Sequence, residues 1–142
     1  MIQSRDEWAM NEWIRNDVLV AKDVIEEVLL RLEEKGWNED ERFGIHLSLE
    51  EALMNAIKHG NKSDPAKSVL VAIAISPEAV RIDIEDQGLG FDPGAVPDPT
   101  LDENLEIPSG RGLMLMRSFM TRVAYNDRGN GVSMEKNRYS DK

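Results

Sequence analysis

Glu51 and Asn55 stand four residues apart in the stretch LSLEEALMNAIKHGN, residues 47 to 61. On a helix that spacing sets a carboxylate and a carboxamide side by side on one face. Such a pair can hold a metal ion, accept the proton of a hydroxyl, or bond to itself. On a wheel of about 100° per residue, Gly44, Ser48, Glu51, Asn55, Lys58 and His59 form a narrow polar stripe. Apolar arcs flank it, with Phe43, Leu47 and Met54 on one side and Ile45, Leu49, Ala52, Leu53 and Ala56 on the other. A polar stripe walled in this way is expected to face something polar other than bulk water. Glu50 falls elsewhere, near His46, on the solvent edge.

Two glycine clusters offer matching chemistry. In IEDQGLGFDP a β-like run ends in Asp86, and Gly88 and Gly90 follow. Glycines there allow a sharp turn and the close approach of a ligand. A carboxylate at a strand end accepts hydrogen bonds from an amino group, such as the N6 amine of adenine; guanine offers an oxygen at that position. In SGRGLMLM, Gly110 and Gly112 precede an apolar helix. Free N–H groups at a helix start make a phosphate cradle, and Arg111 inside the turn can pair with phosphate oxygens. Taken singly, each cluster also fits an ordinary turn or helix boundary.

The remaining pattern supplies elements to position these groups. WAMNEWI, residues 8 to 14, fits a short strand or a helical lead-in, and the strand is the preferred reading. From Asp17, a plausible cap, Val18, Ala21, Ile25, Val28, Leu29 and Leu32 recur at helical spacing until Gly36. Asn38 caps a second helix with Glu39, Asp40 and Glu41 in its first turn, which suits the dipole; it runs to about His59. SVLVAIAI (68 to 75) and VRIDIED (80 to 86) form a hairpin. Residues 91 to 109 hold four of the six prolines, the composition of a functional lid or of disorder. GRGLMLMRSFM gives a short helix whose methionines read as core, and RVAYND with VSMEKNRY closes a last hairpin. The whole of 1–142 is expected to be one domain, an α+β two-layer sandwich with a mostly antiparallel sheet covered on one face by helices.

Bulk properties narrow the classes. At 142 residues the chain suits a single domain with a sizeable core. No run approaches the ~20 apolar residues of a membrane span, and the N-terminus carries no export-type apolar region. The absence of cysteine excludes disulfides and thiolate metal sites, which fits a cytoplasmic protein. A net charge of −10 repels phosphate backbones, so nucleic acid is not an expected partner; the charge suits a solvated acidic surface or a basic protein partner.

Taken in order, E-x-x-x-N on a helix, D-x-G-x-G after a strand, a long lid and G-x-G opening a helix resemble the GHKL ATPase family (gyrase, Hsp90, histidine kinase and MutL ATPase domains), whose fold is the Bergerat α/β sandwich. Within it the chain resembles the bacterial anti-sigma factor serine kinases, over roughly residues 8 to 138. The resemblance implies ATP and Mg²⁺ as cofactors. It makes Glu51 the base, Asn55 the Mg²⁺ ligand and Asp86 the adenine-reading aspartate, with Gly88 and Gly90 as its loop glycines. Gly110 and Gly112 would lie at the phosphates, with Arg111 as a phosphate contact. Ser133 falls where these proteins often carry a threonine near the adenine, and 91–109 becomes the ATP lid. The implied activity is that of a serine/threonine protein kinase that binds a sigma factor and phosphorylates a serine of an antagonist protein, with slow ATP hydrolysis when no partner enters. A homodimer, with the N-terminal segment as a surface, is implied in the same way. Two further readings stay open: a nucleotide-gated module that sequesters its partner without phosphorylating it, and the ATPase half of a two-component system. His46 and His59 both lie within the nucleotide-binding helix, which makes neither a credible phosphate acceptor.

Overall fold

In a computed structural model, residues 6–88 and 110–138 are described, with the backbone alone at Gly110 and Arg111. Gly90 and the expected lid, 91–109, lie outside the described residues. The elements in chain order are strand β1 (Trp8–Arg15), helices α1 (Val18–Glu34) and α2 (Glu39–Met54), a π-helical turn (Asn55–Gly60), strands β2 (Ser68–Ile75) and β3 (Ala79–Glu85), helix α3 (Gly110–Phe119), and strands β4 (Arg122–Tyr125) and β5 (Gly131–Asn137). The strands make one sheet in the order β1-β2-β3-β5-β4, every neighbouring pair antiparallel. This is the α+β two-layer architecture expected from the pattern.

Alternation along the strands decides which side takes the helices. Val69, Val71, Ile73 and Ile75 of β2, Val80, Ile82 and Ile84 of β3, and Val132 and Met134 of β5 are all buried on one face. They meet Val28 and Leu32 of α1, Ile45, Leu49 and Leu53 of α2, and Met116 and Met120, which share one core cluster. Each such side chain contributes about 1.5–3 kcal/mol when fully buried. The opposite face carries Trp13, Arg81 and Arg122, all exposed, and no described element covers it.

Local signals start the helices as their sequences predict. The Leu19 N–H donates to Asp17 Oδ1 at 2.8 Å. Asn38 and Glu41 form a reciprocal capping box, with bonds of 2.8 and 2.9 Å between each backbone N–H and the other's side chain. Trp37, buried between α1 and α2, donates its indole N–H to the Ser76 carbonyl at 2.8 Å, tying the helical layer to the β2–β3 turn.

Three expectations are corrected. The second helix does not stay α-helical to His59: from Asn55 it widens into a π turn, closed by the Asn61 N–H on the Ala56 carbonyl at 2.8 Å. The wheel does not hold across the stripe, because Gly44 and Ser48 are buried while Lys58 is exposed. Gly44 lies beneath Phe119 of α3, and the phenyl edge of the exposed Phe43 meets that same ring at 6.2 Å. Of the α3 methionines, Met116 and Met120 are core residues as expected, but Met114 points outward.

Seating of α3 on α2 depends on the space at Gly44. A Cβ there would lie 2.5 Å from the Phe119 ring. Gly44→Ala should destabilise the chain by roughly 1–3 kcal/mol through overpacking, read as a lower urea midpoint with an unchanged slope.

Candidate functional site

Glu51 sits in the last turn of α2, half-buried, and its carboxylate packs on the main chain at the start of α3. A Cβ built on Gly112 would fall 2.7 Å from the Glu51 carboxyl carbon. That glycine leaves the base candidate directly beside the N–H groups that open α3. Asn55 follows one turn later as the first residue of the π turn. Its buried Nδ2 finds no hydrogen-bond partner among the described residues. An unsatisfied buried polar group costs about 1–3 kcal/mol unless something else bonds it, and Ser48 Oγ and Ser133 Oγ share that state with Asn55.

At the other end of the π turn lies Asp86, only 8% exposed. Its Oδ1 accepts the Gly88 N–H at 2.7 Å. The carboxylate rests on Gly60 so closely that a Cβ on Gly60 would overlap it, and a Cβ on Gly88 would overlap the Gly60 carbonyl. Both glycines are required by this close approach. Asn130 brackets the strand end: the Asp86 N–H donates to its carbonyl at 2.8 Å, and its Nδ2 donates to the Asp86 carbonyl at 2.9 Å. Arg128 donates to the Gly88 carbonyl at 3.3 Å. Burial raises the Asp86 carboxyl above its ordinary range; the Gly88 N–H opposes this, Glu85 adds to it, and Lys67 and Arg128 oppose it. Glu51 and Gly60 stand roughly 13 Å apart along the helix axis at ~1.5 Å per residue, a span for an elongated ligand.

The fold therefore brings Glu51 beside Gly112 with Asn55 one turn on, and sets Asp86 and Gly88 against Gly60 at the far end of the π turn. Gly110 opens α3 beside Gly112. The Arg111 side chain and Gly90 lie outside the described residues. Ser133 is not brought to these residues. It pairs with Asp83 of β3 and Ala124 of β4 on the face away from the helices, whereas Val132 takes the position on the Asp86 side. The period-two alternation of a strand makes the difference: one residue of offset moves a side chain through the sheet. Ser133 instead lines a cavity of about 280 Å³ on the far side, with Leu70, Asp83, Glu85, Arg122 and Asn126.

Other residues around the site carried no signal in the sequence reading. Tyr125 lies on the helix-facing side of β4, half-buried. Its phenol is pushed up to about 12 by burial first and then by the charge of Glu51, with Arg117 opposing. At neutral pH it therefore remains a hydrogen-bond donor near the base candidate. Asn16 and Asn61 are buried polar side chains beside the π turn. Asn61 was legible only as part of a helix stop, and Asn16 as a residue before a cap. Among the described residues no three His, Cys, Asp or Glu side chains come together to hold a metal. No described helix is long and apolar enough to cross a membrane.

A helix carrying a carboxylate and a carboxamide, facing the glycine start of a second helix, with a buried aspartate at the sheet end, stands on a two-layer α/β sandwich. The family comparison agrees: residues 11–136 match the histidine kinase-like ATPase domain, and the chain belongs to that family. It is similar to the serine/threonine-protein kinase BtrW of Bordetella bronchiseptica, 31% identical over 94 residues, covering 65% of this chain and 66% of that one. The anti-sigma F factor of Geobacillus thermodenitrificans is 32% identical over 103 residues, covering 68% and 70%. That of Clostridium perfringens strain 13 is 29% identical over 102 residues, covering 68% and 73%. The chain thus spans about two thirds of the length of these relatives. Among solved structures, the RsbU and RsbW domains of Rv1364c from Mycobacterium tuberculosis superpose with a TM-score of 0.62 at 18% identity, over 91% of this chain and 31% of that one. That likeness concerns the fold. Family membership implies ATP as a ligand.

The raised Asp86 carboxyl has a consequence for stability. Between the ordinary value of 3.8 and the raised one, the folded chain binds more protons than the unfolded chain, so stability falls as pH rises through that window. Asp86→Asn removes the buried charge. It should raise the melting temperature of the ligand-free protein at neutral pH and flatten the loss of stability across that window, measured by calorimetry at stepped pH.

Proposed function

We propose that the chain is an ATP-dependent serine/threonine protein kinase of the anti-sigma type, which moves the γ-phosphoryl group of ATP to a serine hydroxyl of an antagonist protein. The observation that carries this reading is the packing of the Glu51 carboxylate on Gly112, with Asn55 one turn away. The names of the similar proteins, a serine/threonine-protein kinase and anti-sigma F factors, support it.

Phosphoryl transfer draws mostly on positioning and charge stabilisation. In this reading Asp86 accepts a hydrogen bond from the adenine N6 amine, where the oxygen of guanine would be repelled. The N–H groups opening α3 at Gly110 and Gly112 receive phosphate oxygens, helped by Arg111. Glu51 takes the serine proton as the hydroxyl oxygen bonds to the γ-phosphorus, while the bond to the β–γ bridging oxygen breaks and ADP leaves with its electrons. With no hydroxyl in place, Glu51 orients water instead, giving slow hydrolysis. Asn55, one turn from Glu51, would hold Mg²⁺ through its carboxamide oxygen. One oxygen donor without a carboxylate cluster suits an ion that takes most of its ligands from phosphate and water. When bound, Mg²⁺ supplies the countercharge that lets a −10 protein accept a triphosphate. The segment 91–109 serves as the lid that excludes water. Binding of a sigma factor in the cytoplasm, switched by nucleotide state, and a homodimer belong to the same reading. Ser133, on the far face of the sheet, has no part in it.

The test is transfer from γ-labelled ATP into a native bacterial extract supplemented with the purified chain. Acid-stable label on serine of a second protein is expected. Glu51→Gln should cut transfer by roughly 10²–10⁴, the usual share of a general base, and leave ATP affinity unchanged. Asp86→Asn should instead weaken ATP binding by roughly 10- to 100-fold, the worth of a charge-assisted hydrogen bond. Normal ATP binding with no label on any protein would leave a nucleotide-gated sequestering module as the reading.

A further inference from the structure

Two buried carboxamides lie behind the Asp86 loop and touch no expected ligand position. Asn61, 0% exposed, donates through Nδ2 to Asn16 Oδ1 at 3.0 Å and to the Ser68 carbonyl at 2.9 Å. Its Oδ1 accepts the Gln87 N–H at 2.7 Å. Asn16, 8% exposed, donates through Nδ2 to the Asp64 carbonyl at 3.0 Å and to the Ile57 carbonyl at 3.4 Å. Each amide hydrogen and each amide oxygen of the pair is used. The Gln87 side chain completes the ring by accepting the Ser68 N–H at 2.7 Å.

The tie points are the segments that bring Asp86 onto Gly60. Ile57 lies inside the π turn, Ser68 begins β2, and Gln87 is the peptide between Asp86 and Gly88, whose N–H holds the Asp86 carboxylate. The π turn frees backbone carbonyls from regular pairing, and Asn16 and the Ser63 N–H share the one at Ile57. Only a short side chain with two donors and one acceptor satisfies the position of Asn61. Aspartate would set an oxygen against the Ser68 carbonyl, and alanine would leave the Gln87 N–H unbonded.

We infer that the Asn16–Asn61 amide pair positions the Asp86 carboxylate for reading the base, with Asn61 as the positioning residue for nucleotide selectivity. The inference rests on the proposed ATP site and adds its selectivity device. Asn61 acts through Gln87 and Gly88 and leaves the phosphate end of the site untouched.

The test compares three probes on the full chain by calorimetry: ATP, purine riboside triphosphate, which lacks the N6 amine, and inorganic tripolyphosphate. The unaltered chain should prefer ATP over the purine analogue by at least ~10-fold. In Asn61→Ala this ratio should collapse toward one while tripolyphosphate affinity holds. Asn16→Ala, which leaves the Gln87 bond in place, should give an intermediate ratio and covers the case in which Asn61→Ala fails to fold. Hydrogen exchange adds a measure on the unaltered chain, where the Gln87 amide should be among the slow ones. A full ATP preference in either variant, with only a lowered melting temperature, would reduce the pair to a structural role and overturn the inference; so would fast exchange at Gln87. An unaltered chain that binds no ATP, or ignores the N6 amine, would instead sink the site reading on which the inference rests.

Discussion

The carboxylate of Asp86 meets the main chain of Gly60 with no room for a side chain between them. This contact joins the end of a helix to the end of a strand, and much of the remaining structure serves to hold the two at that separation. The apolar faces of α1 and α2 fix the height of the helical layer above the sheet. The indole bond from Trp37 to Ser76 fixes it at one end, and the asparagine ring around Gln87 fixes it at the other. Because protein interiors pack near crystal density, small shifts in the layer are transmitted directly to the site.

Charge sets the second constraint. The chain carries a net charge of −10 and still buries an aspartate and half-buries a glutamate. Burial opposes ionisation of Asp86, and its own backbone donor at Gly88 offsets only part of that. The protein thus holds a group that is unfavourable for the fold, and in the proposed reading that group accepts the adenine amine, the usual relation between site chemistry and stability. Tyr125, kept protonated by burial and by the charge of Glu51, lies toward the opposite end. The π turn separates these two environments. Extra residues of this kind recur at functional sites because they re-aim side chains without breaking the helix.

The two faces of the sheet divide the labour. Helices and candidate site occupy one face. On the other, Arg81 pairs with Asp83 and Arg122 with Glu135, in exposed ion pairs that contribute little stability. A solved structure at 18% identity shares the fold, since the helical period and the strand alternation constrain backbone more than side-chain identity.

Much of this was legible in the linear chain. Hydrophobic periodicity, caps at Asp17 and Asn38, and the glycines that follow Asn55 and Asp86 are local properties, and they were sufficient for the elements and the architecture. Three features escaped. The widening at Asn55 goes with hydrogen bonds of the Ile57 carbonyl to Asn16 and of Asn61 to Asn16 and Gln87, distant in sequence. The side of the sheet taken by Ser133 turns on the strand register, which a single offset reverses. Asn16 and Asn61 bear no motif, because a buried amide has meaning only through the backbone groups that surround it. Short-range sequence determined which groups could do chemistry; long-range packing decided which of them meet, since hydrogen-bond partners and burial are set by neighbours that only the folded chain brings together.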